Sequence, residues 1–146
     1  MAATMAGLIF TVYSGAVCEL IGVHIENAGA YHPSIVVLRA GAFVLPAINL
    51  KAGSLATIRS CLIVPNYGHG IDAFGGQAEL TENVVYKPGS GIRCSGSSVN
   101  VIGNVVFDVR DKPKNLDFSD EDAFFWSSGS GCTLLNNAGA GSTGPN

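Results

Sequence analysis

Between Gly70 and Phe107 the apolar and polar positions of the chain run through the same order twice. Ile71 and Ala73 alternate with Asp72 and Phe74, and the pair Gly75-Gly76 interrupts the run. Ala78 and Leu80 then flank Glu79, Asn83 breaks the pattern again, and Val84-Val85-Tyr86 follows before the turn-rich segment Lys87-Pro-Gly-Ser-Gly91. A constant shift of 21 lays Gly70, Ile71, Gly75, Asn83, Val84 and Val85 on Gly91, Ile92, Gly96, Asn104, Val105 and Val106. Period-2 alternation over four or five residues, punctuated by Gly and Asn, predicts short β-strands and no helix. Each unit holds three such strands and three corners. Ile71, Ala73, Ala78 and Leu80 are its inward side, Asp72, Phe74 and Glu79 its outward side.

The register extends beyond the central pair. A shift of 81 sets Ser14-Gly15 on Ser95-Gly96, Cys18 on Val99 and Leu20 on Val101, so a unit begins near residue 11. The pattern returns at Ile48, with Leu55–Ile58 as a second strand and Cys61–Val64 as a third. After Phe107 it resumes at Ser128-Gly129-Ser130, which sets Leu134 on Val101 and Asn137 on Asn104. One inward position therefore recurs at Leu20, Ile58, Leu80, Val101 and Leu134, giving about five units, two of them enlarged by insertions. A short fixed period is the mark of a stacked architecture whose units bury their apolar faces on one another. We read residues 1–146 as a single domain. Residues 1–10 form an N-terminal arm or cap, 26–47 an irregular excursion, 108–122 a charged loop insertion, and 138–146 a C-terminal tail.

Asn83, Asn104 and Asn137 and the glycines Gly75 and Gly96 are read as corner residues, and the I-x-x-x-G and L-x-x-N-V-V elements with the stacked asparagines Asn83 and Asn104 carry a resemblance. They resemble the right-handed parallel β-helix repeat of pectate-lyase-like proteins and bacteriophage tailspikes. The resemblance implies an all-β fold: a short right-handed parallel β-helix of about five coils with loop insertions. It also implies a trimer, the state of the phage relatives, which would shield the open ends and edges of so short a stack. Such a resemblance identifies a fold far better than a function.

Composition sharpens this picture. Only 13% of the 146 residues are charged while 47% are hydrophobic, against about a quarter charged in ordinary soluble domains. The outer faces are therefore expected to be covered with Ser, Thr, Asn and Gly, and a good part of the surface by another chain. A net charge of −3 gives no reason to expect nucleic acid or an anionic membrane as partner. No apolar run reaches the ~20 residues of a membrane-spanning helix, and no Lys or Arg precedes the N-terminal apolar run as in a secretory signal. Cys18, Cys61, Cys94 and Cys132 are widely spaced and form no metal-type pair. They are expected to be small buried thiols in a chain that folds in a reducing compartment.

Candidate chemistry is sparse. Asp72 and Arg93 share one outward position on adjacent units, where an exposed cross-strand ion pair worth a few tenths of a kcal/mol is expected. The acidic run Asp117–Asp122 lacks the alternating ligands and central Gly of a calcium loop. Phe124-Phe125-Trp126 is the only dense aromatic cluster, expected at a core edge or a subunit contact. His24, His32 and His69 are scattered, and His69, between two glycines, reads as a turn residue. No catalytic residue, cofactor or metal site is expected. By resemblance to viral β-helix proteins, the expected role is a non-enzymatic structural virion protein, made in the host cytoplasm. It would be a trimeric bacteriophage capsid decoration (cement) protein or short spike, bound to itself and to other virion proteins such as a capsid protein. The alternative is a polysaccharide-binding or polysaccharide-degrading module, with Asp72, Arg93, Phe124, Phe125 and Trp126 on one sugar-facing side.

Overall fold

The computed structural model describes residues 10–28, 46–65, 69–86, 88, 90–95, 98–109, 125–128 and 131–140. They hold fifteen strands and no helix: β1 (Phe10–Val12), β2 (Val17–Ile21), β3 (His24–Ala28), β4 (Ile48–Leu50), β5 (Leu55–Arg59), β6 (Leu62–Pro65), β7 (Ile71–Phe74), β8 (Gln77–Thr81), β9 (Val84–Tyr86), β10 (Ile92–Ser95), β11 (Val99–Ile102), β12 (Val105–Phe107), β13 (Phe125–Ser128), β14 (Cys132–Leu135) and β15 (Ala138–Ala140). Successive strands go to three different sheets in rotation. The first sheet is ordered β1-β4-β7-β10-β13, the second β2-β5-β8-β11-β14 and the third β3-β6-β9-β12-β15. Every strand pair is parallel. The chain is thus all-β with three sheets of parallel strands, compatible with a parallel β-helix.

The register follows the repeat. Leu20 pairs with Ile58, Ile58 with Leu80, Leu80 with Val101 and Val101 with Leu134. Like residues therefore lie over like along each sheet, about 4.8 Å apart. Ile48, Ile71 and Ile92 form a column on the first sheet and Ile63, Val85 and Val106 one on the third, all at most 1% exposed. The smaller residues Ala56, Ala78 and Val99 form a further column on the second sheet. β15 takes up the first three residues of the tail, since backbone pairing with β12 needs no large side chain. Residues 1–9, 29–45, 110–124 and 141–146 lie outside the described residues, and with them Gly96, Phe124 and most of the excursion and the charged insertion.

The corner between the second and third sheets has one design in all five places. Gly22, Ser60, Glu82, Gly103 and Asn136 adopt positive φ, between 52° and 66°. That left-handed step turns the chain in a single residue. It costs a non-glycine residue about 1 kcal/mol, so Gly103 suits the site better than its stacked equivalents Ser60 and Glu82. At the last three corners the next residue is the asparagine that holds the stack; at the first two it is Val23 and Cys61. Asn83 and Asn104 are fully buried. Oδ1 of Asn104 accepts from both the backbone N–H and Nδ2 of Asn83, at 2.9 Å each, while Nδ2 of Asn104 donates to the Leu80 carbonyl at 2.7 Å. Asn83 likewise accepts from Cys61 N–H at 3.1 Å and donates to the Ile58 carbonyl at 2.9 Å. Asn137 continues the ladder, accepting from Asn104 N–H and donating to the Val101 carbonyl. At the first corner Gly75, with φ of 83°, packs so closely on the preceding turn that a Cβ would lie 2.9 Å from that of Ala52.

One expectation is overturned. Cys94 and Cys132 are joined in a disulfide, with Cα atoms 6.2 Å apart; Cys18 and Cys61 are free. Cys94 does face inward beside Ala73, and Cys132 does lie beside Val99. These two inward positions belong to different sheets of successive turns, and stacking closes the distance that 38 residues of sequence separation conceal. Closing a loop of that length is worth about 4 kcal/mol on chain-entropy grounds.

Two outcomes are expected in denaturant titrations. Asn104→Ala strands the buried Asn83 N–H and Leu80 C=O and lowers stability by about 3 kcal/mol; Asn137→Ala, at a half-buried rung, costs about 1 kcal/mol. Equal losses at both positions would refute a ladder whose strength depends on burial. Thiol titration of the unreduced, denatured chain is expected to give two reactive cysteines, and Cys132→Ser to lower stability by about 2–4 kcal/mol. Four reactive thiols would refute the bond.

Candidate functional site

On the outer side of the first sheet, alternation sends Asp72 and Arg93 away from the core, and β7–β10 register makes them direct neighbours. An exposed pair was the expectation. The structure instead leaves Asp72 only 8% exposed and the two side chains 12% and 19% exposed. Arg93 Nε lies 3.8 Å from Asp72 Oδ1, and the guanidinium carbon stands 5.2 Å from the centre of the Phe74 ring, a contact worth about 2 kcal/mol when shielded from water.

His69 completes the cluster. It is 1% exposed, not an open turn residue, and its Nε2 accepts a hydrogen bond from Arg93 Nη1 at 2.6 Å. An imidazole that accepts from a guanidinium is neutral and carries its hydrogen on Nδ1. That Nδ1, like Asp72 Oδ1, has no hydrogen-bond partner among the described residues. Burial, reinforced by the Arg93 charge, holds His69 down at about 3. Burial pushes Asp72 up to about 7, against the opposing pull of Arg93 and then Lys51. Two groups of opposite tendency thus share one cation: a carboxyl that changes charge near neutrality and an imidazole that stays neutral.

The cluster was only half legible in the sequence. Period 21 paired Asp72 with Arg93, but His69 stands before β7, outside the alternation that signals an orientation. Its one sequence signal is proximity to Asp72, three residues on. Of the aromatic cluster, Phe125 pairs with Ile92 and packs against the core, whereas Trp126 holds the register position beside Arg93; Phe124 lies outside the described residues. Gly75, Asn83, Asn104 and Asn137 occupy the corners described above. Among the described residues no group of three or more His, Cys, Asp or Glu is placed to hold a metal ion. An open depression of about 380 Å³ lies over the last strands, lined by Phe125, Leu134, Leu135, Asn136, Asn137 and Gly139, and holds no ionisable group.

The outer faces of the three sheets differ in kind. The first carries the buried ionic cluster. The second has a polar central row, Glu19, Thr57, Glu79, Asn100 and Thr133, in which Asn100 Nδ2 donates to Glu79 Oε1 at 2.6 Å. The third is polar only on β3, through His24 and Glu26; beyond it come Leu62 and Val64, Val84 and Tyr86, Val105 and Phe107, and Ala138.

The titration tendencies fix a pH signature. Asp72 is raised from 3.8 to about 7, so its contribution to stability is fully present below pH 3.8 and is lost as pH rises through about 7. His69 is lowered from 6.5 to about 3, so its contribution is present above pH 6.5 and is lost as pH falls through about 3. Between pH 4 and 6.5 the two slopes oppose each other. Relative to the parent chain, Asp72→Asn is expected to gain stability with rising pH across this window, and His69→Gln to lose it, each by about 1 kcal/mol per pH unit. Urea midpoints at pH 4.5 and 6.5 measure this; parallel profiles for all three chains would refute it.

No protein family, curated protein or solved structure matches this chain.

Proposed function

We propose that this chain is a short right-handed parallel β-helix of about five coils with loop insertions, and that it serves as a non-enzymatic structural protein of a virion. In this reading it is a homotrimeric bacteriophage capsid decoration (cement) protein or short spike. Its partners are further copies of itself and neighbouring virion subunits such as a capsid protein, and it reaches the virion after synthesis in the host cytoplasm.

One observation carries the reading. Among the described residues, Phe10, Tyr13, Val17, Ile21, Val23, Leu55, Leu62, Tyr86, Phe107, Leu134 and Leu135 each keep a third or more of their surface exposed. Large apolar side chains on that scale, in a chain with only 13% charged residues, mark surfaces meant for other proteins. Two further features fit. Stacked parallel strands with a buried amide ladder make a rigid structural element. A disulfide closed once the chain has left a reducing interior suits a particle surface. No helix among the described residues is long and apolar enough to cross a membrane. The polysaccharide reading draws less support, because Asp72 and Arg93 are largely withdrawn from solvent and Phe125 turns to the core.

Light scattering of the purified chain at two concentrations tests the proposal. Three chain masses at both concentrations are the expected result; a single chain mass at both would sink it.

A further inference from the structure

We propose that the C-terminal end of the stack docks an extended segment of another protein, laid parallel on β14 and β15 as one further turn. The segment carries a leucine or valine and, three residues on, an asparagine. The amide ladder has a direction, and that direction selects the end. Each asparagine serves the turn before it: Asn83 takes the Cys61 N–H and reaches the Ile58 carbonyl, Asn104 takes the Asn83 N–H and reaches Leu80, and Asn137 takes the Asn104 N–H and reaches Val101. The backbone at the corner is bonded in the same sense. Ser60, Glu82 and Gly103 donate their N–H groups to the Thr81, Ile102 and Leu135 carbonyls of the following turn, and the Cys61, Asn83 and Asn104 carbonyls accept from Val84, Val105 and Ala138. In the last turn the equivalent groups are the N–H groups of Asn136 and Asn137 and the carbonyls of Leu134 and Asn137. None of them meets such a counterpart among the described residues.

Beside those groups lies a seat for an apolar side chain. Ile58, Leu80 and Val101 are 0% exposed, each covered by the turn that follows it, whereas Leu134, next in the same column, is 42% exposed. Leu134 and Phe125 line the open depression of about 380 Å³ together with Leu135, Asn136, Asn137 and Gly139. The apolar seat and the unpaired corner are thus neighbours, at the spacing that Leu80 and Asn83, or Val101 and Asn104, have inside the stack. Continuity with those internal contacts identifies the occupant. A carboxamide can accept from the Asn137 N–H and donate to the Leu134 carbonyl at once, while the free edges of β14 and β15 offer main-chain bonds, as in peptide recognition by strand addition. A second copy of this chain does not fit. Its first turn brings Leu20 to the apolar seat but Val23 to the corner, and a valine side chain neither donates nor accepts. The opposite end of the stack makes no such demand, because the ladder points away from it and the Cys61 thiol already reaches the Leu20 carbonyl. The site rests on the stacked turns alone and holds for any oligomeric state.

The probe is a fluorescently labelled synthetic peptide with the sequence of residues 77–86, which holds Leu80 and Asn83 at the required spacing. The full, unaltered chain is titrated into it and anisotropy is read. Saturable binding is expected, about tenfold weaker for a peptide carrying Asn83→Ala and unchanged for one carrying Glu79→Gln, an outward position. A photoreactive group at position 80 of the peptide then locates the contact by mass spectrometry, with products expected on β13 to β15. Equal binding of the Asn83→Ala peptide overturns the amide seat, and products on β1 to β3 overturn the choice of end. Absence of binding, whether because residues 141–146 or a second copy already fill the end or because nothing does, overturns the site as a whole. A parent chain of single mass in light scattering sinks the trimer and leaves this site standing.

Discussion

Two buried amides hold this structure in register. Asn83 and Asn104 stand at the same corner of successive turns, and each spans a gap that no backbone pairing covers. Its oxygen receives the N–H of the preceding corner, and its nitrogen reaches the carbonyl of the large core residue one turn back. A buried corner leaves polar backbone groups that cost about 1–3 kcal/mol each when unpaired. An amide offers a donor and an acceptor at once, so a column of them satisfies every rung but the last. Where Cys61 precedes the column, its thiol turns to the carbonyls of Leu20 and Arg59 instead. Stacking of like on like therefore follows from the corners as much as from the core.

Because the corners fix the stack, the inner and outer faces are free to differ. Inside, three columns keep like residues together: isoleucines on the first sheet, alanines and valine along the second, valines and isoleucine on the third; the other column of the first sheet mixes sizes, with Leu50 between Val12 and Ala73 and Cys94 beyond. Outside, each sheet has its own chemistry. The first withdraws an arginine, an aspartate and a histidine from water, the second sets a polar central row between exposed Val17 and Leu55 on one side and Ile21 and Leu135 on the other, and the third is apolar beyond β3. The ionic cluster is a costly arrangement for a pair that solvent would have held cheaply at the surface. Its partners offset one another: neutral His69 takes the guanidinium proton donor, Phe74 covers the cation, and Asp72 lies beside the charge while burial favours its protonated form.

How much of this could be read from residues alone varies by feature. The strands between Ile48 and Phe107, their inward residues and the corner asparagines were legible, since period-2 alternation and an exact 21-residue shift leave little freedom. The direction in which Asp72 points was legible too; its burial was not, because alternation gives the side of a sheet and says nothing about what lies over it. His69 was hidden for a related reason, since it precedes its strand and is oriented by Arg93 two dozen residues later. The disulfide was hidden by distance. Cys94 and Cys132 were each placed in the right column, but their columns sit on different sheets, and only closing the turn brings them together.

By itself the sequence determined the all-β class, the three-strand unit and the parallel stacking of equivalent positions, because a short period can bury its apolar side only against copies of itself. Tertiary structure decided which columns touch across the interior and which outward groups are covered. Those outcomes depend on contacts between sheets and between distant turns. No local pattern encodes them.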